Sequence, residues 1–355
     1  MSDPRLDYHG SFRLTRKIAE GGMASVYEAE QLGPSGFAKR IALKVIHPRL
    51  VGYPTFLQLF IDEAKLSANL LHGNIVQIYQ LGEVAGEYFM AMELIRGPSL
   101  RDLIDRHREL ETGIPISLVA YVGSRICRAL DFAHHFVGPD GVALDIVHRD
   151  VSPGNVMITW DGHIKLADFG IAKARTTGDP AEAGDLVMGK KRYMSPEQLL
   201  GLEVDAQSDV FSLGCVLFEL LSLDPLFAEE GTAQMIREVA VHPLPPLRLR
   251  VPDLDPELDQ ILTLALERDP SRRPTAAALG QALDWWLASQ QEYGTPDRLQ
   301  THLANIFPTT YQPLTRAAET TDFTNLRQAV DATRAREESQ RTPASWLGRL
   351  LGVGR

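Results

Sequence analysis

Cysteine is nearly absent: the 355 residues contain two, Cys127 and Cys215. Both sit in apolar helical patterns, so no disulfide framework is expected, and buried thiols in a reducing compartment are. The first ten residues, MSDPRLDYHG, hold no basic stretch followed by an apolar run, so no signal peptide is expected there. No apolar run is long enough to span a bilayer. The longest, Val210 to Leu223, is interrupted by Glu219 and flanked by Asp209 and Asp224, and reads as a buried core helix. Basic residues are in deficit, 36 against 46 acidic, for a formal net charge of -10. That disfavours nucleic acid, whose affinity comes mostly from Lys and Arg contacts to phosphate. No internal repeat is apparent. These exclusions point to a soluble, cytoplasmic chain without a transmembrane segment. What is present, a hydrophobic fraction of 44%, suffices for a sizeable core in one large domain or two modest ones.

The first part of the chain has strand periodicity. Phe12 to Ala19 and Ser25 to Ala29 flank a glycine turn, Ile41 to Ile46 is a short apolar run carrying one lysine, and Tyr88 to Ile95 is a further strand. Between them Phe56 to Leu71 has helical spacing, with Phe56, Phe60, Ala64 and Leu71 near one face. From about Gly97 the pattern turns helical, with long segments near 117–135, 206–222, 256–268 and 275–290. Asp255-Pro256 supplies an N-cap and a first-turn proline. Leu258, Ile261, Leu262, Ala265 and Leu266 then line one face. One hairpin intervenes: Val156-Met157-Ile158 returns through Ile164 and Leu166, and Asp161-Gly162 predicts a two-residue turn. The outline is a small strand-rich lobe followed by a large helical one.

Several residues carry chemistry. Gly21-Gly22-Met23-Ala24-Ser25-Val26 reads either as a plain hairpin or as a loop whose amides approach phosphate oxygens. Lys44 is a lone charge in an apolar strand, either on a solvent face or aimed at phosphates and held by a carboxylate. Glu63, on the following helix, is the candidate carboxylate; alone it reads as part of a solvated helix face. Then Ile146-Val147-His148-Arg149-Asp150-Val151-Ser152-Pro153-Gly154-Asn155 is followed, after the hairpin, by Asp168-Phe169-Gly170. Ser195-Pro196-Glu197, Asp209 and Arg273 come later in the chain.

In this order the sequence resembles the eukaryotic-type (Hanks-type) bacterial serine/threonine protein kinases, over roughly residues 12 to 287. The resemblance implies an α+β, bilobal protein-kinase fold: a small antiparallel-sheet N-lobe with one main helix (12–95) and a large, mostly helical C-lobe (97–287). Residues 1–11 are then an N-terminal segment and 288–355 a C-terminal extension, partly helical or disordered. It implies transfer of the γ-phosphate of ATP, with Mg²⁺, to Ser/Thr hydroxyls of protein substrates in signal transduction. Asp150 would be the catalytic base, and Asn155 and Asp168 the Mg²⁺ ligands. Lys44, paired with Glu63, would contact the phosphates under a loop of Ala19, Glu20, Gly21, Gly22, Met23, Ala24 and Val26. Met92 falls at the gatekeeper position. The backbones of Glu93 and Ile95 would meet the adenine edge, between Ala42 above and Met157 below. Glu197 and Arg273 resemble the family's buried ion pair, and Asp209 its anchor for the catalytic loop. Arg149 often binds a phosphorylated activation-loop residue in the family, and Thr176 and Thr177 are the candidates for that modification.

The sequence departs from the family pattern. Ala19 and Ala24 occupy the outer glycine positions. Ser152 stands where a lysine usually touches the γ-phosphate, and Lys190 where a threonine usually bonds the catalytic aspartate. The two departures look reciprocal, an ammonium and a hydroxyl exchanged, so Lys190 is expected to reach Asp150 and the γ-phosphate while Ser152 supplies the hydroxyl. This variant, with the insertion Phe136 to Asp145, resembles kinases of myxobacteria. Gly154 replaces a glutamate that often reads substrate arginine, which disfavours arginine-directed substrates. A pseudokinase scaffold is the rival reading, with Ser152 its best support; a small-molecule phosphotransferase is a third. In the tail, Pro296 to Ile306 is expected as one more helix, and Phe323 to Glu338 as a charged one. Ala317 to Phe323 reads either as a surface turn or, by resemblance, as a motif read by phosphothreonine-binding modules, and Trp346 to Leu351 as a frayed terminus or an apolar end that docks on a partner, on the kinase domain or on a membrane surface.

Overall fold

Successive side chains of a strand point to opposite faces, and Ile41 to Ile46 follows that rule. Ile41, Leu43 and Val45 pack with Phe12, Ala29, Phe89 and Ala91, while Ile46 packs on the other face with Ala24, Phe60, Ala64 and Met90. The computed structural model describes residues 7–8, 12–84, 86–169, 188–227, 236, 238–239, 246–290 and 294–311, with backbone alone for 7–8 and 188–190. Strands β1 (Asp7–Tyr8), β2 (Phe12–Glu20), β3 (Ala24–Leu32), β4 (Ala38–Ile46), β5 (Ile78–Val84) and β6 (Glu87–Met92) form one antiparallel sheet in the order β1-β2-β3-β4-β6-β5. In the central register Lys44 lies between Val26 and Met90, and Ala42 opposite Met92.

The sheet carries a short helix α1 (Pro48–Val51) and one main helix, α2 (Pro54–Ser67), which buries Leu59, Phe60 and Ala64. Burying one such side chain contributes about 1.5–3 kcal/mol. The predicted helical stretch ran to Leu71. It stops earlier because the side chain of Asn69 donates to the Lys65 carbonyl at 2.9 Å and closes the last turn. Leu71, expected on the apolar face, lies beyond that end and is 71% exposed.

The larger lobe contains α3 (Leu100–Leu110), α4 (Ile116–His134), α5 (Pro196–Leu199), α6 (Ala206–Ser222), α7 (Pro256–Ala265), α8 (Ala276–Ser289) and α9 (Pro296–Ile306). Side-chain oxygens of Ser99, Ser195, Asp205, Asp255, Thr275 and Thr295 cap their first turns, the usual way to satisfy orphan helical N–H groups. Helices α4 and α6 are buried along most of their length and organise one core. The architecture is the expected α+β, two-lobed one, and the predicted insertion at 136–145 folds as a small hairpin closed by Val137 and Ala143.

Strands β7 (Val156–Ile158) and β8 (Ile164–Leu166) pair as predicted, but their connection is longer than the two-residue turn expected at Asp161-Gly162. The Gly162 amide donates to the Thr159 carbonyl at 2.9 Å, the Thr159 amide to the His163 carbonyl at 2.9 Å, and Gly162 has φ +84°. This is a three-residue loop with a left-handed third position, a common alternative to the primed turns. The backbone of another segment decides it: a Cβ on Gly162 would lie 2.0 Å from the Pro296 carbonyl oxygen.

Among the described residues no helix is long and apolar enough to cross a membrane. The chain divides into two units at Gln312. Everything from Gln312 onward lies outside the described residues, including the predicted helix at 323–338 and the motifs at 317–323 and 346–351. Helix α9, expected in the tail, belongs to the first unit and buries Leu299, Leu303 and Ile306 in the same core.

Candidate active site

Because strand side chains alternate, Lys44 shares the face of β4 that meets α2. Its Nζ donates to Glu63 Oε1 at 2.7 Å and to Asp168 Oδ1 at 2.9 Å. Side-chain exposure is 12% for Lys44 and 13% for Glu63, against 42% for Asp168. Burial pulls the ammonium pKa down, but Asp168 and Glu63 together outweigh it, so the net shift is upward and Lys44 stays charged. Burial raises the Glu63 pKa; Lys44 opposes this, while Asp168 and Asp150 add to it. With an ammonium at 2.7 Å, we take the pair as ionised.

The catalytic-loop candidates hang from α6. Asp209, 1% exposed, accepts the His148 amide and the Arg149 amide at 2.7 Å each, and the His134 ring nitrogen at 2.8 Å. These bonds hold Arg149 at φ +64°, a left-handed conformation that costs a non-glycine residue roughly 1–3 kcal/mol and persists where the surroundings enforce it. The His148 ring contacts the Ala167 carbonyl at 3.0 Å and the ring of Phe169 at a centroid distance of 4.5 Å. Asn155 donates its amide nitrogen to the Asp150 main-chain oxygen and to Asp150 Oδ2, both at 2.8 Å. Asp168 has φ +56°.

Ser152 is 3% exposed, and its hydroxyl oxygen has no hydrogen-bond partner among the described residues. Its main-chain carbonyl accepts the Asn155 amide at 3.0 Å. For Lys190 the backbone lies in a 3₁₀ turn, Met188–Tyr193; its side chain, like Gly170, Thr176 and Thr177, lies outside the described residues.

The β2–β3 turn places Gly21, Gly22 and Met23 at the tip. The Gly21 amide is engaged by the Ala24 carbonyl at 2.9 Å, so hairpin closure uses one of the amides expected to face phosphate. His47 Nε2 meets the Gly21 carbonyl at 2.8 Å, and Arg49 donates to the Gly22 carbonyl at 3.2 Å. After Met92, the Glu93 amide donates to the Gln77 carbonyl at 2.8 Å. The Glu93 carboxylate is tied to Lys165 at 2.9 Å. Ala42 and Met157 lie on the two lobes, Ala42 on β4 and Met157 on β7.

Residues 12–285 match the protein kinase domain family. The chain belongs to that family. Its kinase domain is 39% identical over 286 residues to the tyrosine-protein kinase MasK of Myxococcus xanthus, covering 80% of this chain and 44% of MasK. It is 35% identical over 269 residues to the serine/threonine-protein kinase PknA of Mycobacterium tuberculosis, covering 74% of this chain and 58% of PknA. Among solved structures, the Mycobacterium tuberculosis PknI kinase domain matches 80% of this chain and 99% of its own, with a TM-score of 0.58 and 26% identity. The chain therefore spans about half the length of the curated relatives it matches.

In the larger lobe, Arg273 grips Glu197 with two bonds, Nη1 to Oε1 at 2.6 Å and Nη2 to Oε2 at 2.9 Å, and Ser208 donates to the same carboxylate. Burial alone would raise the Glu197 pKa, but the Arg273 and Ser208 hydrogen bonds reverse it and hold this carboxyl below its usual range. Sequence reasoning missed four supports of the kinase site: His134 on Asp209, His47 and Arg49 on the glycine turn, and Lys165 on Glu93. Each joins residues from separate elements, and none has a local sequence signal.

The donor set suits a hard divalent cation. Among the described residues no group of three or more His, Cys, Asp or Glu side chains could hold a metal ion. Asn155 and Asp168 are the side chains that could give oxygens to such a cation, with phosphate and water completing its shell, as is common for Mg²⁺.

Proposed function

We propose that this chain transfers the γ-phosphoryl group of ATP, with Mg²⁺, to serine or threonine hydroxyls of protein substrates. The observation that carries this reading is the reach of Lys44 to both Glu63 and Asp168, residues from separate parts of the chain, beside an Asp150 oriented by Asn155. Phosphoryl transfer needs little covalent chemistry from a protein; it needs alignment and charge around the phosphate oxygens.

In this reading Asp150 orients the acceptor hydroxyl and takes its proton, while Asn155 holds that carboxylate in place. Lys44 binds the nucleotide phosphates, held by Glu63. Asn155 and Asp168 supply the oxygen ligands for Mg²⁺, which when bound neutralises charge on the phosphates. The Glu93 carbonyl and the Ile95 amide offer adenine one acceptor and one donor, between Ala42 and Met157, with Met92 behind. Ser152 and Lys190 act as an exchanged pair, and the unpartnered Ser152 hydroxyl supports a role that is completed only when the nucleotide and acceptor are bound. A kinase domain over 12–287 and a cytoplasmic location complete the proposal; the two free, buried cysteines suit a reducing compartment.

A second acceptor class has its own support. MasK, 39% identical, is named a tyrosine kinase, and Ser152 removes the long cation that usually fills the space beside the acceptor. Incubation of the purified chain with radiolabelled ATP, Mg²⁺ and a general protein substrate, followed by acid hydrolysis, separates the classes. Labelled phosphoserine and phosphothreonine support the main proposal, and phosphotyrosine alone replaces it with the second reading. No label above that of Asp150→Asn means a nucleotide-binding scaffold.

A further inference from the structure

The connection between the lobes is held from behind by a segment that the family match, ending at residue 285, does not include. Gly97 has φ +154°, and a Cβ there would lie 2.0 Å from the Ile158 carbonyl oxygen. The connection thus runs tightly against β7. The Ile158 amide donates to the Pro98 carbonyl at 2.8 Å and the Trp160 amide to the Arg96 carbonyl at 2.9 Å. The Trp160 side chain, 8% exposed, belongs to the main core of the larger lobe, against which Phe307 and Tyr311 pack. Its ring meets Phe307 edge-on at 6.0 Å and Tyr311 edge-on at 5.4 Å.

Those two aromatic residues are themselves fixed. Tyr311 accepts from the Gln300 side chain at 3.0 Å. At the end of α9 the Ile306 carbonyl accepts from Arg106 Nε at 2.7 Å, and His302 lies against His107 with ring nitrogens 2.9 Å apart. At its start the Pro296 carbonyl presses on Gly162 in the β7–β8 loop. Helix α9 therefore bears at once on α3, which follows the interlobe connection, and on the hairpin loop bonded to that connection.

We propose that residues 294–311 form a strut for the nucleotide site, acting through Trp160 as a positioning residue that fixes residues 94–98. The inference rests on reading Glu93 and Ile95 as the adenine-facing edge. An edge-on aromatic pair is worth about two- to tenfold in an equilibrium constant, so a comparable change is expected at the nucleotide.

The test uses the full chain with Phe307→Ala and Tyr311→Ala combined. Three quantities are read: hydrogen exchange at residues 94–97, the dissociation constant for Mg-ATP, and the melting temperature. Exchange at 94–97 is expected to accelerate, and the nucleotide constant to rise about two- to tenfold. Tyr311→Phe, which keeps the ring, should leave both near wild type. A lower melting temperature with unchanged exchange and unchanged nucleotide affinity would mean that α9 only stabilises the core, and would overturn the proposal. If the double variant does not fold, Tyr311→Ala alone carries the same comparison. Exchange at 94–97 decides the matter even for a chain that binds no ATP, an outcome that would count against the proposed function instead.

Discussion

The phenol of Tyr193 donates at 2.5 Å to Oε2 of Glu219, a carboxylate with no solvent exposure in the last turn of α6. Arg101 of α3 bonds both partners, and Arg108 reaches the same carboxylate at 3.2 Å. Burial raises the Tyr193 pKa, and the Glu219 charge and hydrogen bond raise it further; the phenol remains a donor at neutral pH. The segment just before Ser195-Pro196-Glu197 is thereby fastened to the core. Tyr193→Phe removes two bonds to charged groups, the one to Glu219 and the one from Arg101, while Arg101 and Arg108 remain on the carboxylate. The expected loss is about 1–3 kcal/mol, measured by chemical denaturation.

Arg273 offers a sharper contrast. Its guanidinium has no side-chain exposure and is the only cation bonded to Glu197 among the described residues. Arg273→Met should cost about 3–5 kcal/mol, because it strands a buried carboxylate. Since the Glu197 carboxyl is held below the ordinary carboxylate value of 4.5, the pair's contribution is present above that value and is lost as pH falls through the folded one. Denaturation midpoints of wild type and variant should converge in acid.

Asp150→Asn retains the hydrogen bonds that place the catalytic loop but cannot accept a proton. Phosphoryl transfer should fall by about 10²–10⁴, the usual worth of a general base, with the Mg-ATP dissociation constant within twofold of wild type. Quench-flow and equilibrium binding measure the two quantities.

Ser152 should show opposite effects on stability and rate. An unpartnered buried hydroxyl costs about 1–3 kcal/mol, so Ser152→Ala should raise the unfolding free energy. If the hydroxyl finds its partner in the working complex, the same change lowers kcat by about tenfold, or ~1.4 kcal/mol. Lys190→Ala should lose at least as much. Near-normal turnover in both would end the exchange proposal.

The pairing of His107 with His302 predicts a pH effect. Burial lowers both pKa values, and for His302 the neighbouring His107 adds to it, giving about 4 against the ordinary imidazole value of 6.5. The Thr112 carbonyl pulls His107 the other way, and Arg106 is the nearby cation of α3. Between pH 7 and 4 the unfolded chain holds more protons than the folded one, so stability falls as pH drops through that window. His302 is partly exposed, and the loss is put at on the order of 1–2 kcal/mol. His302→Phe should flatten the slope of melting temperature between pH 7 and 5.

Much of the site was legible because its residues break local rules. Lys44 is a charge inside an apolar strand, and Asp150, Asn155 and Asp168 cluster within one loop and its hairpin. Strand alternation then placed Lys44 on the helix side, where Glu63 met it. What the sequence hid was set by distant partners. The β7–β8 turn was misread because Pro296, far along the chain, dictates the shape of the loop at Gly162. Leu71 was misplaced because a single asparagine cap ended α2 early. His134 carries no local signal of its role, which exists only because α6 brings Asp209 to it.

The grip of Asp209 on the His148 and Arg149 amides separates two kinds of motion. Asp150 travels with the long buried helix of the larger lobe, whereas Lys44 and Glu63 travel with the sheet. Rocking of one lobe on the other would stretch the Lys44–Asp168 contact, making that ion pair a gauge of closure and Asp150 its stationary anvil.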